Sequence, residues 1–397
     1  MVDFMNFENY SCDNQMSIFD FTREPISITK SIRLIELFAG YGSQAMALKR
    51  IGAKFEHYRV VEFDKYAIAS YNAVHGKDFP TMDITKVHAE DLNICDTKTF
   101  TYLLTYSFPC TDLSVAGKQA GMSKGSGTRS GLLWEVERIL TEIRDSNGEL
   151  PQILFMENVP QVHGKKNIND FEKWLGFLES LGYTNYWQDL NSKNYGVAQN
   201  RNRCFMFSFL GNYSYDFPKP IQLTKRIRDY QEEVVDEKFY VSDKALKGFA
   251  EHAKKQKEKG NSFHAVIKDV DDISSTIKSR YYKDGSDCLL KVAGKINSSQ
   301  DGKVVYTDGI ALTLTSGHCN VPKIAEPTMR KSYESLKLQH DIRKLTPREC
   351  GRLMGVSDED IDKMAAVNSN TQLYKQFGNS IVVDVMCAMF KNLNINQ

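Results

Sequence analysis

Four side chains that could do chemistry stand at the ends of apolar segments of this 397-residue chain. Cys110 follows Pro109 just after one segment, Glu157 lies near the end of another, and Arg201 and Arg203 open a third. An accessible thiol can act as a nucleophile, and a carboxyl among apolar neighbours can keep its proton and donate a hydrogen bond. Two arginines on one face of a strand can hold a carboxylate, a base oxygen or phosphates. The alternatives are a buried structural cysteine, a capping carboxylate and an exposed strand edge.

A glycine-rich turn, ELFAGYGS at 36–43, also follows an apolar segment. Gly40 and Gly42 would let a nucleotide or nucleoside approach the backbone closely. The turn lacks the G-x-G-x-x-G pattern, which disfavours a nicotinamide oxidoreductase. Glu62 ends the next segment and could bind ribose hydroxyls, and Asp83, near the end of an expected third strand, could accept from an adenine amino group. A simple packing turn is the alternative.

The loop after Cys110 is rich in glycine and basic residues. The stretch GKQAGMSKGSGTRSG contains Lys118, Lys124 and Arg129. A basic, glycine-rich loop beside a nucleophile suits a lid that closes over a polyanion.

These groups need a sheet to position them. Short apolar segments predict strands at 33–38, 58–63, 102–108, 152–158 and 203–209, and helical patterns predict helices at 44–50, 65–74, 132–143 and 170–181. This alternation predicts an α/β fold with a doubly wound, mostly parallel sheet, whose strand ends meet at one edge.

The expected domain boundaries follow from changes in composition and hydrophobic pattern along the chain. We expect an N-terminal tail at 1–30, the first part of a catalytic domain at 31–220, a smaller, mixed, largely β domain at 221–340, and the second catalytic part at 341–397. Thr346 and Pro347 form a helix-start pattern in the last part. A closing helix is expected at 381–392.

Composition narrows the class of protein. The chain has 51 basic and 50 acidic side chains, but residues 221–340 carry 21 basic against 17 acidic ones, so the smaller domain is mildly basic. The eight cysteines form no C-x-x-C pair, and no apolar run is long enough to span a membrane. We therefore expect a cytoplasmic protein with neither a disulfide framework nor a membrane segment. His318 and Cys319 lack a ligand set, so no metal is expected.

Taken together and in order, these segments resemble the DNA (cytosine-5) methyltransferase family. ELFAGYGS, VVEFD, MDIT, SFPCTDLSVAGKQAG, MENV and QNRNR resemble its successive motifs, and RKLTPRECGRLMG and QFGNSIVVDV resemble its last two. The resemblance covers 33–210 and 341–395. Glu36, Ser43, Phe63 and Thr111 depart from the residues usual in the family.

The resemblance implies an activity and its catalytic residues. Cys110 would add to C6 of a flipped-out cytosine in DNA, and C5 would then take a methyl group from S-adenosylmethionine. Glu157 would donate a hydrogen bond to ring N3, and Arg201 and Arg203 would anchor the base oxygen and hold Glu157. The fold would be the Rossmann-like methyltransferase sheet, with 221–340 as its target-recognition domain.

The resemblance also implies residues that bind the cofactor and the DNA. The cofactor set is Phe38, Gly40, Gly42, Glu62, Phe63, Asp83, Ile84, Pro109, Leu132, Asn379 and Ser380. The DNA set is Lys118, Lys124, Arg129, Thr313 and Thr315.

The expected partner is double-stranded DNA, bound by a monomer of a restriction–modification or orphan enzyme. In the N-terminal tail, the five residues from Gln15 to Phe19 resemble the short peptide that docks on bacterial sliding clamps. Two alternatives stay open. A related branch of the family methylates cytosine in tRNA, and a relative could bind DNA without catalysis. The size of the 221–340 region favours DNA over tRNA, and the intact set of Cys110, Glu157 and both arginines disfavours the second alternative.

Overall fold

The computed structural model describes residues 23–113, 120–259, 265–292, 304–306, 323–325 and 341–395. Their strands are β1 (Glu24–Pro25), β2 (Ser31–Leu37), β3 (Phe55–Val61), β4 (Phe100–Tyr106), β5 (Ile153–Asn158), β6 (Tyr183–Asn191), β7 (Asn202–Leu210), β8 (Tyr213–Ser214), β9 (Ile267–Lys268), β10 (Leu289–Val292), β11 (Val304–Tyr306), β12 (Lys323–Ala325) and β13 (Asp341–Lys344). Their α-helices are α1 (Ser43–Arg50), α2 (Lys65–His75), α3 (Ala89–Leu92), α4 (Leu133–Asp145), α5 (Ile168–Ser180), α6 (Asp243–Glu258), α7 (Tyr281–Asp284), α8 (Pro347–Arg352), α9 (Asp358–Val367), α10 (Asn370–Asn379) and α11 (Val383–Lys391).

A six-stranded sheet in the order β3-β2-β4-β5-β7-β6 forms the centre of the fold. The first four strands in this order are parallel, whereas β7 runs antiparallel to both of its neighbours. Helices cover both faces, as the alternation of strands and helices predicted. The prediction of a doubly wound α/β fold is confirmed.

The two faces of the sheet belong to two separate hydrophobic cores. One core packs α1 and α11 against side chains such as Leu34, Phe155 and Phe207. The other packs α4 and α5 against Ile35 and Met156, among others. Successive residues of a strand point to opposite faces, so each buried strand contributes to both cores.

Three parts of the sheet differ from the sequence-based expectation. Strand β7, predicted as one of the parallel set, is antiparallel. Strand β6 was not predicted, because its half-exposed sequence YTNYWQDLN lies at the edge of the sheet and lacks a long apolar run. The prediction of a strand that ends near Asp83 is wrong, because a 3-10 helix, Ile84–Lys86, begins there instead.

The described part of 221–340 is mixed, with short strands and two helices. A three-stranded sheet has the order β13-β10-β9. Strand β13 begins after residue 340, and its hydrogen bonds to β10 connect it to the 221–340 region. The longest element is α6, which was not expected because its sequence is rich in lysine and buries none of its side chains. Helical propensity and a Ser242 cap, which accepts from the Ala245 N–H, account for this helix.

The last residues of the expected N-terminal tail pack on the fold around the central sheet. Strand β1 pairs with β8, and a bridge joins Ile28 to Ile395. Ile26 and Ile28 are buried in the core of α1 and α11. Residues 23–30 are therefore part of the folded domain, because their two isoleucines gain more by burial than the polar sequence around them suggested.

Several predictions fall outside the described residues. They are the clamp-like segment from Gln15 to Phe19, Lys118 in the basic loop, and Thr313 and Thr315 in the recognition region. Among the described residues, no helix combines the length and the apolar character that crossing a membrane requires.

A close backbone approach joins helix α10 to the segment that precedes α7. A Cβ atom built on Gly378 would lie 2.2 Å from the Ser279 nitrogen and 2.3 Å from the Lys278 carbonyl carbon. Only glycine fits this contact, because a rigid backbone faces it. The contact holds residues of the 221–340 region against the 341–395 part of the chain.

We expect Gly378→Ala to lower the free energy of unfolding by roughly 1–3 kcal/mol, because the added methyl group has to displace backbone. Urea denaturation measures this. The control is Gly176→Ala in helix α5, where a Cβ meets nothing within 4 Å. That change should stabilise the protein by about 0.5–1 kcal/mol through helix propensity. Equal stability of the Gly378→Ala variant and the unchanged protein would contradict the close approach.

Candidate active site

The candidate catalytic residues meet at one edge of the sheet. Cys110 lies in the loop after β4, Glu157 is the second-last residue of β5, and Arg203 is the second residue of β7. Because β7 is antiparallel to β5, the start of β7 lies beside the end of β5, where Glu157 pairs in register with Phe205. Arg203, two residues before Phe205, projects from the same face as Glu157.

Glu157 and Arg203 form a buried ion pair. The Arg203 Nε lies 3.1 Å from the Glu157 Oε1, and the two side chains are 14% and 8% exposed. Burial raises the pKa of Glu157, while the charges of Arg203 and Arg201 oppose the rise. The carboxyl group is thus held in a fixed orientation, and its pKa is displaced towards the protonated form that can donate a hydrogen bond.

The Cys110 thiol lies in the electric field of the same groups. Burial and the nearby Glu157 carboxylate raise its pKa, and the guanidinium groups of Arg203 and Arg201 lower it. A protonated Glu157 would remove the unfavourable charge and favour the thiolate. The protonation states of Cys110 and Glu157 are therefore coupled, and they suit a nucleophile working beside a hydrogen-bond donor.

Arg201 has contacts different from those expected. Its terminal nitrogens donate to the carbonyls of Ile277, Gly378 and Ser380, at 3.0, 3.0 and 2.5 Å. The side chain is 3% exposed and precedes β7, so its donors serve backbone from two distant parts of the chain. Contact with a base oxygen and with Glu157, as the sequence analysis expected for both arginines, fits Arg203 better. Arg201 reaches Glu157 and Cys110 by charge alone in this arrangement.

The glycine-rich turn follows β2 and contains three residues whose backbone conformation is left-handed. Phe38, Gly40 and Gly42 have φ values of 58°, 58° and 82°. A Cβ on Gly40 would meet nothing within 4 Å, so the backbone is open to a ligand at that point. The Ser43 hydroxyl, at the start of α1, lies 2.5 Å from the Ser380 hydroxyl. The turn and the last motif therefore form one wall of the same site.

Glu62 and Asp83 both have partners within the protein. The Glu62 carboxylate accepts from the Gly40 and Asp64 N–H groups at 2.8 and 2.7 Å, so it joins the glycine turn to the start of α2. Asp83 caps the short 3-10 helix by accepting from the Thr85 N–H at 3.1 Å. The Met82 N–H donates to the Glu62 carbonyl, which brings Asp83 close to the end of β3. Each carboxylate keeps further lone pairs with which it could bind a ligand.

Phe63 provides the clearest sign of a ligand surface beside the turn. Its side chain is 77% exposed, although it is large, apolar and next to the half-buried Glu62. An exposed ring next to a carboxylate and an open glycine fits a nucleoside, which offers a flat base and ribose hydroxyls. The residues present therefore fit an adenosyl group.

The other expected cofactor residues line the same edge with different exposures. Ile84 is buried, Pro109, Leu132 and Ser380 are half-buried, and Asn379 is exposed.

The described basic residues of the loop after Cys110 lie at the surface. Lys124 contacts Glu137 of α4 at 2.5 Å and lies 5.6 Å from the centre of the Trp134 ring. Arg129 is exposed, and its N–H donates to the Asp112 carboxylate at 2.8 Å. The side chain of Arg129 is open to a phosphate, whereas Lys124 would have to leave Glu137 first.

The sequence analysis missed two residues that support the Cys110 loop. The Asn158 amide donates to the Phe108 carbonyl at 3.0 Å, and the Ser130 hydroxyl donates to the Pro109 carbonyl at 2.7 Å. Both side chains belong to buried residues. Asn158 had a signal, since a polar residue directly after Glu157 on a buried strand needs a partner. Ser130 had none, because it is one of several small polar residues in a loop.

Comparisons with known proteins identify the family of this chain. The model of the C-5 cytosine-specific DNA methylase family matches residues 32–394. The chain is 33% identical to the Type II methyltransferase M2.ScrFI of Lactococcus lactis subsp. cremoris, over 92% of this chain and 100% of that protein. It is 29% identical to the Type II methyltransferase M.DsaV of Dactylococcopsis salina, over 92% and 86%.

A solved structure shares the fold. The Dnmt2 methyltransferase of S. pombe superposes with a TM-score of 0.61 at 20% identity, over 91% of this chain and 97% of that one. The family match spans nearly the whole described chain and includes every element that carries the site. This protein therefore belongs to the C-5 cytosine-specific DNA methylases and is a DNA (cytosine-5-)-methyltransferase.

Proposed function

We propose that the protein methylates C5 of a cytosine that has left the DNA duplex, through a covalent bond between Cys110 and C6 of the base. The observation that carries this proposal is the buried edge of the sheet at which Cys110, Glu157 and Arg203 come together. A thiol, a carboxyl with a raised pKa and a guanidinium suit the three demands of the reaction on the base.

The thiolate of Cys110 supplies the electrons that C5 lacks. Carbon C5 of cytosine is a weak nucleophile, and addition of sulfur to C6 breaks the C5–C6 double bond and places an electron pair on C5. That pair would form the new bond to the methyl group, whose bond to its donor breaks at the same time. Loss of the C5 proton to a base or to water then restores the double bond and expels the Cys110 thiolate.

Glu157 would stabilise the charge that develops during this addition. Its protonated carboxyl can donate to ring N3, and the electrons drawn towards N3 make C6 more open to attack. Burial favours this protonated form. Arg203 orients the carboxyl through the 3.1 Å contact and can present its remaining N–H groups to the base oxygen.

The target base must leave the helix before Cys110 can reach it. Within a stacked duplex, C6 is covered by neighbouring bases, so enzymes that act on a base rotate its nucleotide out of the stack. Cys110 is half-buried at the edge of the sheet, and an intact duplex cannot enter such a site. The exposed Arg129 can contact the phosphates that flank the rotated nucleotide.

Family membership implies S-adenosylmethionine as the methyl donor. When bound, it supplies a methyl group with an electron-poor carbon. Phe63 would stack on its adenine, the open backbone at Gly40 would admit the ligand closely, and Glu62 would accept from its ribose. Ser43 and Ser380 would close the wall that the two hydroxyls already share.

Bisulfite sequencing of DNA from a host that expresses the protein tests the substrate and the position of methylation together. We expect cytosines that resist conversion at one short, recurrent DNA sequence. The same host provides tRNA, and resistant cytosines in tRNA alone would favour the RNA alternative. Unmethylated DNA and RNA in the presence of folded protein would contradict the proposed activity.

We expect Cys110→Ser to abolish methyl transfer while the protein still binds S-adenosylmethionine, because a serine hydroxyl is almost never ionised at neutral pH. Transfer of a radiolabelled methyl group to DNA and calorimetry of cofactor binding measure the two properties. Cys95→Ser is the matched control, since Cys95 is an exposed free cysteine away from the site. Turnover by Cys110→Ser above about one per cent of the unchanged enzyme would sink the covalent mechanism.

We expect Glu157→Gln to lower the methyl-transfer rate by about 10²-fold or more and to change DNA affinity much less, because its contact with the base strengthens as charge develops. Single-turnover rates and DNA binding are to be measured on the same preparation. Glu56→Gln, at an exposed ion pair on β3, provides the control. Equal losses of rate and of affinity would show that Glu157 only positions the DNA.

A further inference from the structure

A second cluster of reactive side chains lies behind the candidate active site. His163 ends a 3-10 helix that follows β5, Asp189 belongs to β6, and Cys204 belongs to β7. Asp189 and Cys204 face each other in register across the two antiparallel strands. Because Cys204 directly follows Arg203, its side chain projects from the face of the sheet opposite to Arg203 and Glu157.

Each of the three side chains places one possible ligand atom close to those of the other two. The His163 Nε2 lies 3.0 Å from the Asp189 Oδ1, and all three ligand atoms lie within 4.8 Å of one another. In a tetrahedral zinc site, bonds of about 2.0–2.3 Å place neighbouring ligand atoms roughly 3.3–3.7 Å apart. The nitrogen and oxygen are therefore almost at the required separation, and a shift of about 1 Å would bring in the sulfur.

Burial gives the cluster a closed side and an open side. Cys204 is fully buried, whereas the side chains of His163 and Asp189 are 22% and 30% exposed. The Trp187 ring packs on the His163 imidazole with 4.8 Å between ring centres, and it restricts the orientation of the imidazole. An ion could enter from solvent between the two polar side chains and reach the thiol beneath them.

An ordinary ion pair does not account for the third member. A histidine and a carboxylate also pair elsewhere in this fold without a cysteine, since His88 and Glu142 lie 3.2 Å apart at the surface. A buried cysteine packs well as a small apolar group, but here its sulfur adjoins an imidazole and a carboxylate. Imidazole nitrogen, carboxylate oxygen and thiolate sulfur are all ligands that zinc binds in proteins.

We propose that His163, Asp189 and Cys204 bind one zinc ion, with water as the fourth ligand. The ion would displace the Cys204 thiol proton to solvent and bond to the resulting thiolate. The His163 imidazole would bind through the Nε2 lone pair and carry its proton on Nδ1. Thiolate and carboxylate together balance the two positive charges of the ion, so the zinc-bound site carries no net charge.

The bound ion would connect three segments that support catalysis. It would join β6 and β7 to the turn after β5, directly behind the Arg203–Glu157 pair. Asn158 faces Cys204 in register and also holds the loop of Cys110 through the Phe108 carbonyl. Zinc at this position would stabilise the fold without contacting either substrate, and this inference does not depend on the proposed reaction.

Metal binding to the full-length protein, first stripped with a chelator, tests this proposal. Titration with Zn²⁺ in a calorimeter should give one site per chain, and excess zinc should raise the melting temperature by about 3 °C. Titration with Co²⁺ as a spectroscopic probe should produce the near-ultraviolet charge-transfer band of a thiolate ligand. The same titrations are to be made on variants of each ligand.

His163→Gln and Asp189→Asn should each weaken zinc binding by more than about 100-fold, since even outer partners of a zinc site change affinity by 10- to 100-fold. Cys204→Ser should remove the charge-transfer band. The matched control is His88→Gln, which should bind zinc like the unchanged protein, and Cys110→Ser should keep the band.

Three results would overturn the proposal. They are a cobalt spectrum without the thiolate band, zinc affinity that His163→Gln and Asp189→Asn leave unchanged, and a band that disappears in Cys110→Ser but persists in Cys204→Ser. Because His163 and Asp189 are partly exposed, their variants are expected to fold, which the melting temperature in the presence of chelator verifies.

Discussion

The reversal of one strand determines where the reacting groups of this protein meet. In an all-parallel sheet, the first residues of a strand lie at the edge opposite to the last residues of its neighbour. Strand β7 runs antiparallel to β5, so Arg203 at its start reaches Glu157 at the end of β5. The carboxyl is thereby held in a buried position beside Cys110. Both pKa shifts, and the chemistry proposed from them, depend on this neighbour relation.

Arg201 provides a second constraint, because it connects this edge of the sheet to two distant segments of the chain. Arg201 directs its terminal N–H groups to backbone carbonyls at 277, 378 and 380, and Gly378 lies so close to the Lys278–Ser279 backbone that it has no room for a side chain. The segment around Gly378 and Ser380 and the segment around Ile277 are thus held by the same residue, which precedes β7. These segments therefore meet at a rigid buried junction, because buried donors and acceptors keep their partners.

Residues at strand ends could be predicted from the sequence, and contacts between distant segments could not. Cys110 and Glu157 were assigned to one edge, since each lies at the end of a strong apolar segment, whereas Arg203 was brought to Glu157 only by the family resemblance. The antiparallel direction of β7 left no signal in its own sequence, which is a nearly continuous apolar run such as a buried parallel strand would have. The partners of Arg201 are carbonyl groups, and any residue type provides these. The strand predicted to end near Asp83 is wrong because a short stretch of sequence carries little information about secondary structure. The supporting role of Asn158 could have been predicted, because a polar residue next to Glu157 on a buried strand needs a hydrogen-bond partner.

The central claim is a covalent bond between Cys110 and the target cytosine, and trapping that bond tests it most directly. DNA in which 5-fluorocytosine replaces cytosine should be methylated once and then remain attached, because fluorine cannot leave C5 as a cation and elimination of the thiolate is blocked. Mass spectrometry of the digested complex should show the nucleotide on the peptide that contains Cys110. A preparation that methylates ordinary DNA yet forms no adduct with the fluorinated DNA, or forms one at another cysteine, would contradict the account.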